Sequence, residues 1–329
     1  MHAPTAAIVI PSWNTIEFLP ACLESLSGLD LEPQILVVDN GSADGSREYL
    51  QREGVPHLAL PENIGFAAAV NLGARRVSAA AILALNADTV LEPGCLETLL
   101  AALRDDPALG GVQPRILQLE GDPGAPRSLG GAGAPRTIED ARLYSAGQAL
   151  TRDGRAFECG MGDEQRPEQL ARREVFGVCG AACLLRRELF EQLGGYDESY
   201  FAFYEDVDLN VRARIAGWHF EYVPEAVVWH VGNAAWTAGF DRPGADNARL
   251  VARNRLATQV KFMPASAALR IAAVEVGALL RAARRRRFLA TLRGKLAALG
   301  RLPSLLRERR RLQREGDVEH ARRWLGAER

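Results

Sequence analysis

Lysine, cysteine and long apolar runs are scarce in this chain of 329 residues. No uncharged apolar stretch reaches the length of about 18 residues that predicts a membrane span. The five cysteines are thinly spread and form no C-x-x-C pair, and Cys179 and Cys183 lack two further ligands at zinc-site spacing, so we expect reduced, packed thiols. The N-terminal residues lack a basic segment and a cleavage site, so we expect a cytoplasmic protein.

Three common catalytic signatures are also missing. The sequence contains no G-x-x-x-x-G-K-[ST] phosphate loop, no G-x-G-x-x-G dinucleotide loop and no G-x-S-x-G nucleophile elbow. The usual signatures of kinase-type, dinucleotide-dependent and serine-hydrolase chemistry are therefore absent.

Charge is divided unevenly along the chain. Residues 1–247 contain 19 basic side chains (Lys and Arg) against 35 acidic ones, a net charge of −16. Residues 248–329 contain 21 against 6, a net charge of +15. This asymmetry predicts two regions, an acidic body over residues 1–240 and an arginine-rich helical region over residues 241–329.

Short apolar runs alternate with helical patterns through the acidic body, which predicts an α/β fold with a mixed, mostly parallel sheet. Residues 120–173 are rich in Gly, Pro, Arg and Asp and are predicted to form an irregular loop or a small hairpin insert. The predicted strands are Ala6–Ile10, Gln34–Val38, His57–Leu60, Ala79–Leu85, Gly111–Leu117, Gly180–Leu185 and a final pair at Phe220–Tyr222 and Ala226–Trp229.

Polar clusters follow three predicted strands where those strands end: Pro11–Asn14, Asp39–Ser42 and Asn86–Asp88. In open α/β sheets, ligands bind outside the carboxyl ends of the strands, so this convergence predicts a binding site. Taken singly, Asp39 also fits an Asx turn, and Asp88 fits a surface turn or a helix cap.

Three acids begin the predicted helix Glu205–Ala216, where they complement the helix dipole without any catalytic role. The aromatic run Tyr200–Tyr204 just before it fits core packing, but it also suggests a pocket wall, which favours a general base among these acids. His230 ends the last predicted strand and becomes a metal ligand if it lies beside Asp88.

Together, the ordered motifs resemble those of family 2 glycosyltransferases, and in particular the bacterial rhamnosyltransferase-like group. The resemblance covers about residues 6–232. The motifs are Ile10–Asn14, Val37–Ser46, Glu62–Ala67 with Asn71, Leu85–Thr89, Gly194–Glu198, Tyr204–Leu209 and Val228–His230.

The resemblance implies a GT-A type nucleotide-binding fold and an inverting, metal-dependent transfer of a sugar. The metal, Mg²⁺ or Mn²⁺, is assigned to Asp88 and His230, and the catalytic base to Asp206 with Glu205 beside it. The usual Asp-x-Asp of the family reads Asn86-Ala87-Asp88 here, so the metal site has one carboxylate fewer. The residues assigned to the nucleotide sugar are Pro11, Trp13, Asn14, Asp39, Asn63, Gly65, Asn71 and Asn86.

By the same resemblance, we expect dTDP-rhamnose as the first candidate donor, ahead of UDP-hexoses and GDP-sugars, and a lipid-linked or cell-surface glycan as the acceptor. One alternative is a nucleotidyltransferase acting on sugar phosphates, which normally carries a Gly-rich basic loop after its first strand. Another is an inactive, membrane-associated assembly subunit, which would tolerate loss of the acids.

The basic C-terminal region has three conceivable partners. Anionic lipid headgroups attract clustered arginines such as Arg284–Arg287, so we expect peripheral binding to the inner face of the plasma membrane. Nucleic acid is not expected, because no nucleic-acid motif accompanies the charge and the acidic body would repel phosphates. A homodimer interface or intramolecular packing is the alternative.

Overall fold

The computed structural model describes residues 6–29, 31–119, 137–232 and 243–326. Within these ranges, ten strands form one sheet and two form a separate hairpin. The strands are β1 (Ala6–Ser12), β2 (Gln34–Asp39), β3 (His57–Ala59), β4 (Ala81–Leu85), β5 (Thr89–Leu91), β6 (Leu109–Gln118), β7 (Leu143–Ser145), β8 (Gln148–Leu150), β9 (Ala156–Glu158), β10 (Arg173–Glu174), β11 (Ala182–Arg186) and β12 (His219–His230).

Helices cover both faces of the sheet and form the C-terminal region. The helices are α1 (Leu19–Ser25), α2 (Ser46–Arg52), α3 (Phe66–Arg76), α4 (Cys95–Asp105), α5 (Arg187–Gln192), α6 (Glu205–Ile215), α7 (Pro243–Phe262), α8 (Ala268–Arg284), α9 (Phe288–Gly300), α10 (Leu302–Glu315) and α11 (Val318–Arg322).

The central sheet is mixed and mostly parallel, as predicted. Its order is β10-β12-β6-β11-β4-β1-β2-β3, with β5 paired to β12 and β7 paired to β6. Strands β1 to β4 along this path are parallel, whereas β11 runs antiparallel to both β4 and β6. Residues of β1 alternate between two cores: Ala7 and Val9 pack on one face, and Ile8 and Ile10 pack on the other. A strand buried on both faces reads as a continuous apolar run, which is why β1 was visible in the sequence.

Two predictions about strands differ from the structure. The expected final pair is a single strand, β12, whose register against β6 shifts between Val223 and Val227. Pro224 lies within this interval and lacks a backbone N–H, which accounts for the interruption in the apolar pattern. The three-residue strand β5 was not predicted, because it directly follows Asp88 and is too short to show a period.

The insert contains ordered structure over its described part, residues 137–173. Strands β8 and β9 form an antiparallel hairpin, with Gln148 opposite Glu158, and β7 joins the edge of the main sheet. The described part of the insert therefore contains a hairpin, whereas residues 120–136 lie outside the described residues, as do residues 233–242 around the predicted domain boundary.

The C-terminal helices pack onto the acidic body. Lys261 of α7 is buried, and its Nζ lies 3.1 Å from Asp197, 2.5 Å from Asp208 and 3.0 Å from Glu308. Because two of these acids belong to residues 1–240, the two regions share a buried ion-pair network. The five cysteines are buried free thiols, as predicted. No helix in the described ranges has the length and apolarity required to cross a membrane.

Candidate active site

A cavity of about 490 Å³ lies at the carboxyl ends of β1, β4 and β12. Its volume is in the range of sites for small molecules and nucleotides. The cavity brings together most of the side chains that the sequence singled out. Of the twelve predicted site residues, those that line it are Pro11, Trp13, Asn63, Asn86, Asp88, Glu205, Asp206 and His230.

Asp88 and His230 form a buried pair in the wall of this cavity. His230 Nε2 lies 3.2 Å from Asp88 Oδ1, and the two residues are 2% and 7% exposed. Strand β5 produces this proximity, because its antiparallel pairing with β12 places Thr89 opposite His230. Asn86 Nδ2 lies 3.3 Å from the same histidine nitrogen.

The donor atoms of this pair fit a divalent cation. A carboxylate oxygen and an imidazole nitrogen lie close enough to share one ion, and both are ordinary ligands of divalent metals. Asn86 contributes a neutral amide where a second carboxylate would add negative charge. The ring of Tyr144 packs edge-on against His230 with ring centroids 4.4 Å apart, which fixes the orientation of the imidazole.

A strained loop delivers Asp206 to the cavity. Phe201, Phe203 and Tyr204 have φ angles of +65°, +66° and +69°, a region that bulky side chains rarely adopt. Asn254 of α7 stabilises the loop, because its Nδ2 lies 2.7 to 2.9 Å from the carbonyl oxygens of Tyr200, Ala202 and Phe203. Backbone strain that is held by surrounding contacts is typical of functional sites.

Three donors surround the partly exposed carboxylate of Asp206. The N–H of Gly180 and the amide of Gln148 each donate to Oδ2 at 3.0 Å, and the N–H of Val207 donates to Oδ1 at 2.8 Å. Burial nevertheless raises the pKa of Asp206 above that of an ordinary aspartate, while these hydrogen bonds oppose the shift. The result is an oriented carboxylate with increased basicity, as a general base requires.

Glu205 differs from Asp206 in its surroundings. It is 6% exposed, and its Oε2 has no hydrogen-bond partner among the described residues. Burial and the neighbouring charge of Asp206 raise the pKa of Glu205 well above its usual range. Glu205 therefore keeps its proton under conditions that ionise an ordinary glutamate, and Asp206 is the better base of the two.

Asp39 and Asn14 lie outside the cavity lining. Asp39 is fully buried, and its Oδ2 accepts a hydrogen bond from Arg47 Nε at 2.7 Å while Oδ1 accepts one from the N–H of Ser42. Asn14 accepts a hydrogen bond from the N–H of Ala43 at 2.8 Å. Both residues hold together the loops that follow β1 and β2.

Asn71 and Gly65 also lie outside the lining, and both make close structural contacts. The Asn71 side chain exchanges hydrogen bonds with the backbone of Tyr196 and donates one to Glu198. Gly65 has a φ of +91°, and a Cβ atom there would lie 2.6 Å from Phe201. These two residues join α3 to the loops that precede α6.

Sequence reasoning missed two polar residues of the cavity, Gln148 and Glu158 of the insert hairpin. Burial and the charge of Asp206 raise the pKa of Glu158 to about 7. A carboxylate oxygen of Glu158, one of Asp206 and the Cys179 sulfur lie within 4.8 Å of one another. Three-residue strands in a Gly- and Arg-rich segment give no periodic signal, so only the tertiary structure reveals these side chains.

Comparison with known proteins identifies the family. The model of the glycosyl transferase family 2 matches residues 7–194. This chain belongs to that family. A relative from Mycobacterium tuberculosis, named N-acetylglucosaminyl-diphospho-decaprenol L-rhamnosyltransferase, is 31% identical over 68% of this chain and 75% of that protein. The predicted resemblance to the rhamnosyltransferase-like group is thus confirmed.

Two further proteins extend the comparison of this family 2 glycosyltransferase. An N-acetylglucosaminyltransferase from Mesorhizobium japonicum is 28% identical over 68% of this chain and half of that protein. The crystal structure of GalNAc-T7 with UDP, GalNAc and Mn²⁺ superposes with a TM-score of 0.60 at 14% identity, covering 79% of this chain and 48% of that one. At this identity the similarity concerns the fold, and it confirms the GT-A type.

Proposed function

We propose that this glycosyltransferase moves a sugar, with inversion, from a nucleotide-diphosphate donor to a hydroxyl of a lipid-linked or cell-surface glycan. The observation that carries the proposal is that one cavity contains both the Asp88–His230 pair and the oriented carboxylate of Asp206. The name of the mycobacterial relative favours dTDP-rhamnose as the donor and a lipid-linked N-acetylglucosamine as the acceptor.

On the donor side, Asp88 and His230 would hold Mg²⁺ or Mn²⁺, with the amide of Asn86 alongside. Such an ion stabilises the negative charge that develops on the diphosphate leaving group. Pro11, Trp13 and the loop of Asn63 would contact the nucleotide, because they line the cavity near the carboxyl ends of β1 and β3.

On the acceptor side, Asp206 takes the proton of the acceptor hydroxyl. The hydroxyl oxygen forms a bond to the anomeric carbon of the sugar as the bond from that carbon to the diphosphate breaks, so a single displacement inverts the configuration. This reaction needs one base and no nucleophilic side chain. Asp206, with its raised pKa, meets that need while Glu205 stays protonated.

The two alternatives explain fewer of the observations. A nucleotidyltransferase has no use for a base opposite the leaving group, and the loop after β1 lacks glycine and lysine. An inactive assembly subunit does not require Asp88, Asp206 and His230 to meet in one cavity. Membership of the glycosyl transferase family favours sugar transfer over both.

We also propose that residues 1–240 form the catalytic domain and that residues 241–329 bind the anionic cytoplasmic face of the membrane. Helix α8 supports this: Leu269, Val276 and Leu280 share one face and are 87%, 58% and 61% exposed. The exposed run Arg284–Arg287 follows at the end of α8. Apolar side chains beside arginines suit the interface of an anionic bilayer.

A thermal-shift screen of nucleotide sugars tests the donor assignment. A donor that binds the folded state raises the melting temperature by mass action. The proposal expects a rise with dTDP-rhamnose, or another nucleotide sugar, that is larger with Mg²⁺ or Mn²⁺ than with EDTA. If no nucleotide sugar stabilises the protein under either condition, the proposed function is wrong.

A further inference from the structure

The amide of Gln148 connects two carboxylates in the cavity. Its Nε2 lies 3.0 Å from Asp206 Oδ2 and 3.1 Å from Glu158 Oε1. Its Oε1 accepts a hydrogen bond from Asn210 Nδ2 at 2.9 Å, so the amino group must face the two acids. Ser145 Oγ donates to the other oxygen of Glu158 at 2.6 Å. The hairpin thus places a second carboxylate beside the catalytic one.

This end of the cavity is rich in hydrogen-bond acceptors. Glu205 lies there as well as Glu158 and Asp206, and its Oε2 has no hydrogen-bond partner among the described residues. The described residues that line the cavity include no lysine or arginine. The carboxyl groups at this end suit a ligand that donates hydrogen bonds, such as the hydroxyl groups of a sugar.

The mouth of the cavity at the hairpin is apolar. Phe157 and Met161 line it and are 36% and 50% exposed. An exposed aromatic ring beside convergent polar groups offers a surface to the C–H face of a sugar ring. The carboxylate of Glu158 and these two apolar side chains all belong to the insert.

We propose that the β8–β9 hairpin is the acceptor subsite, and that Glu158 accepts a hydrogen bond from a hydroxyl group next to the one that Asp206 deprotonates. The oxygens of the two carboxylates lie within 4.8 Å, a span that neighbouring hydroxyls of one ring can bridge. The substrate class is therefore a sugar with two adjacent free hydroxyls. Glu158 itself neither gains nor loses a proton in the reaction. This inference rests on the proposed function.

Ionisation of Glu158 gives the subsite a pH dependence. Its pKa of about 7 means that the acceptor oxygens are fully charged only above that pH. The titratable groups that face it are Asp206, Cys179 and Tyr144. Burial raises the pKa values of the Cys179 thiol and the Tyr144 phenol, so both stay neutral across this range. Acceptor binding should accordingly strengthen as the pH rises through 7.

The test uses full-length protein, the donor from the thermal-shift screen and a synthetic N-acetylglucosaminyl-diphospho-lipid with its monodeoxy derivatives. Glu158→Ala should raise the KM for the acceptor about tenfold or more, the scale of a lost hydrogen bond to a charged group. The KM for the donor should stay within about twofold of wild type, because binding energy is lost on the acceptor side only. Glu168→Ala, an exposed acid of the same insert, is the matched control.

Two readouts separate binding by Glu158 from a structural role. In wild type, one monodeoxy acceptor should bind more weakly than the parent acceptor. In Glu158→Ala, that monodeoxy acceptor and the parent acceptor should bind equally well, as in a double-mutant cycle. Glu158→Gln should abolish the change in acceptor KM between pH 6 and pH 8. Donor-induced thermal stabilisation confirms that each variant is folded.

If Glu158→Ala and Glu168→Ala have the same acceptor KM, the acceptor-subsite assignment is wrong. It is also wrong if the acceptor KM of Glu158→Gln changes with pH as that of wild type does. The proposed function is tested separately, by whether wild type releases nucleoside diphosphate from a donor. If wild type releases none from any donor, the proposed function fails and the subsite fails with it.

Discussion

Gln148 and Asp206 are 58 positions apart in the sequence, yet Gln148 Nε2 lies 3.0 Å from Asp206 Oδ2. This hydrogen bond makes the insert hairpin part of the candidate active site. It also stabilises the charged form of Asp206 and so opposes the rise in pKa that burial causes.

Replacing Gln148 by leucine should therefore weaken the base at low pH. Without this donor the pKa of Asp206 rises further, so the acidic limb of the profile of kcat/KM against pH should move to higher pH. We expect kcat to fall by about tenfold as the carboxylate loses its orientation. Gln51→Leu, on the exposed face of α2, is the control. An acidic limb that coincides with that of wild type would contradict this role.

The sequence anticipated those parts of the site that follow buried strands. Asp88 and His230 each end an apolar run, and the fold brings such ends to one edge of the sheet. Gln148 and Glu158 were not anticipated, because their strands have only three residues each and their meeting with Asp206 depends on long-range packing. Strand β5 was missed for the same reason, although its pairing creates the Asp88–His230 contact.

Burial in the C-terminal region could likewise be predicted from the sequence only in part. Composition predicted a basic helical region correctly, but it did not predict which side chains of α8 are buried. Ile271, Val274 and Leu279 are half-buried, whereas Leu269 is exposed. The buried residue of α8 is Glu275, which pairs with Arg255 and Lys295. No local pattern identifies a buried ion pair between distant helices.

Asp88→Ala tests the metal site. Removing the carboxylate next to His230 should weaken nucleotide-sugar binding measured with Mn²⁺ by about tenfold or more, the range reported for perturbed metal ligation. EDTA should then have no further effect on binding, which titration calorimetry can measure. Asp163→Ala, outside the cavity, provides the comparison. Equal affinity in wild type and Asp88→Ala, each with and without EDTA, would disprove the metal assignment.

Glu205→Gln should stabilise the protein at alkaline pH. The folded state raises the pKa of Glu205, so above pH 4.5 the unfolded state releases a proton that the folded state retains, and stability falls as the pH rises toward the folded pKa. The amide removes this loss, and we expect a gain in the free energy of unfolding that is larger at pH 8.5 than at pH 5.5. Urea unfolding at both pH values, with Glu168→Gln as control, measures the difference. A gain that does not grow with pH would be inconsistent with the raised pKa.

Membrane binding should depend on both the arginines and the leucine face of α8. We expect full-length protein to sediment with anionic liposomes at low salt and to be released at high salt, because screening weakens each arginine contact of ~1 kcal/mol. Replacing Leu269, Val276 and Leu280 by serine should reduce sedimentation. Serine at Leu31 and Leu170, exposed on the acidic body, should not. Full-length protein that stays in the supernatant at low salt would favour dimerisation or packing instead.

The central claim is that Asp206 is the base of a glycosyl transfer. Its most direct test is the release of nucleoside diphosphate from the donor, measured together with the glycosylated acceptor, for wild type and Asp206→Asn. We predict equal amounts of both products from wild type and a loss of turnover of about 10²-fold or more in Asp206→Asn, with donor-induced thermal stabilisation retained. Near-wild-type transfer by Asp206→Asn would contradict the account.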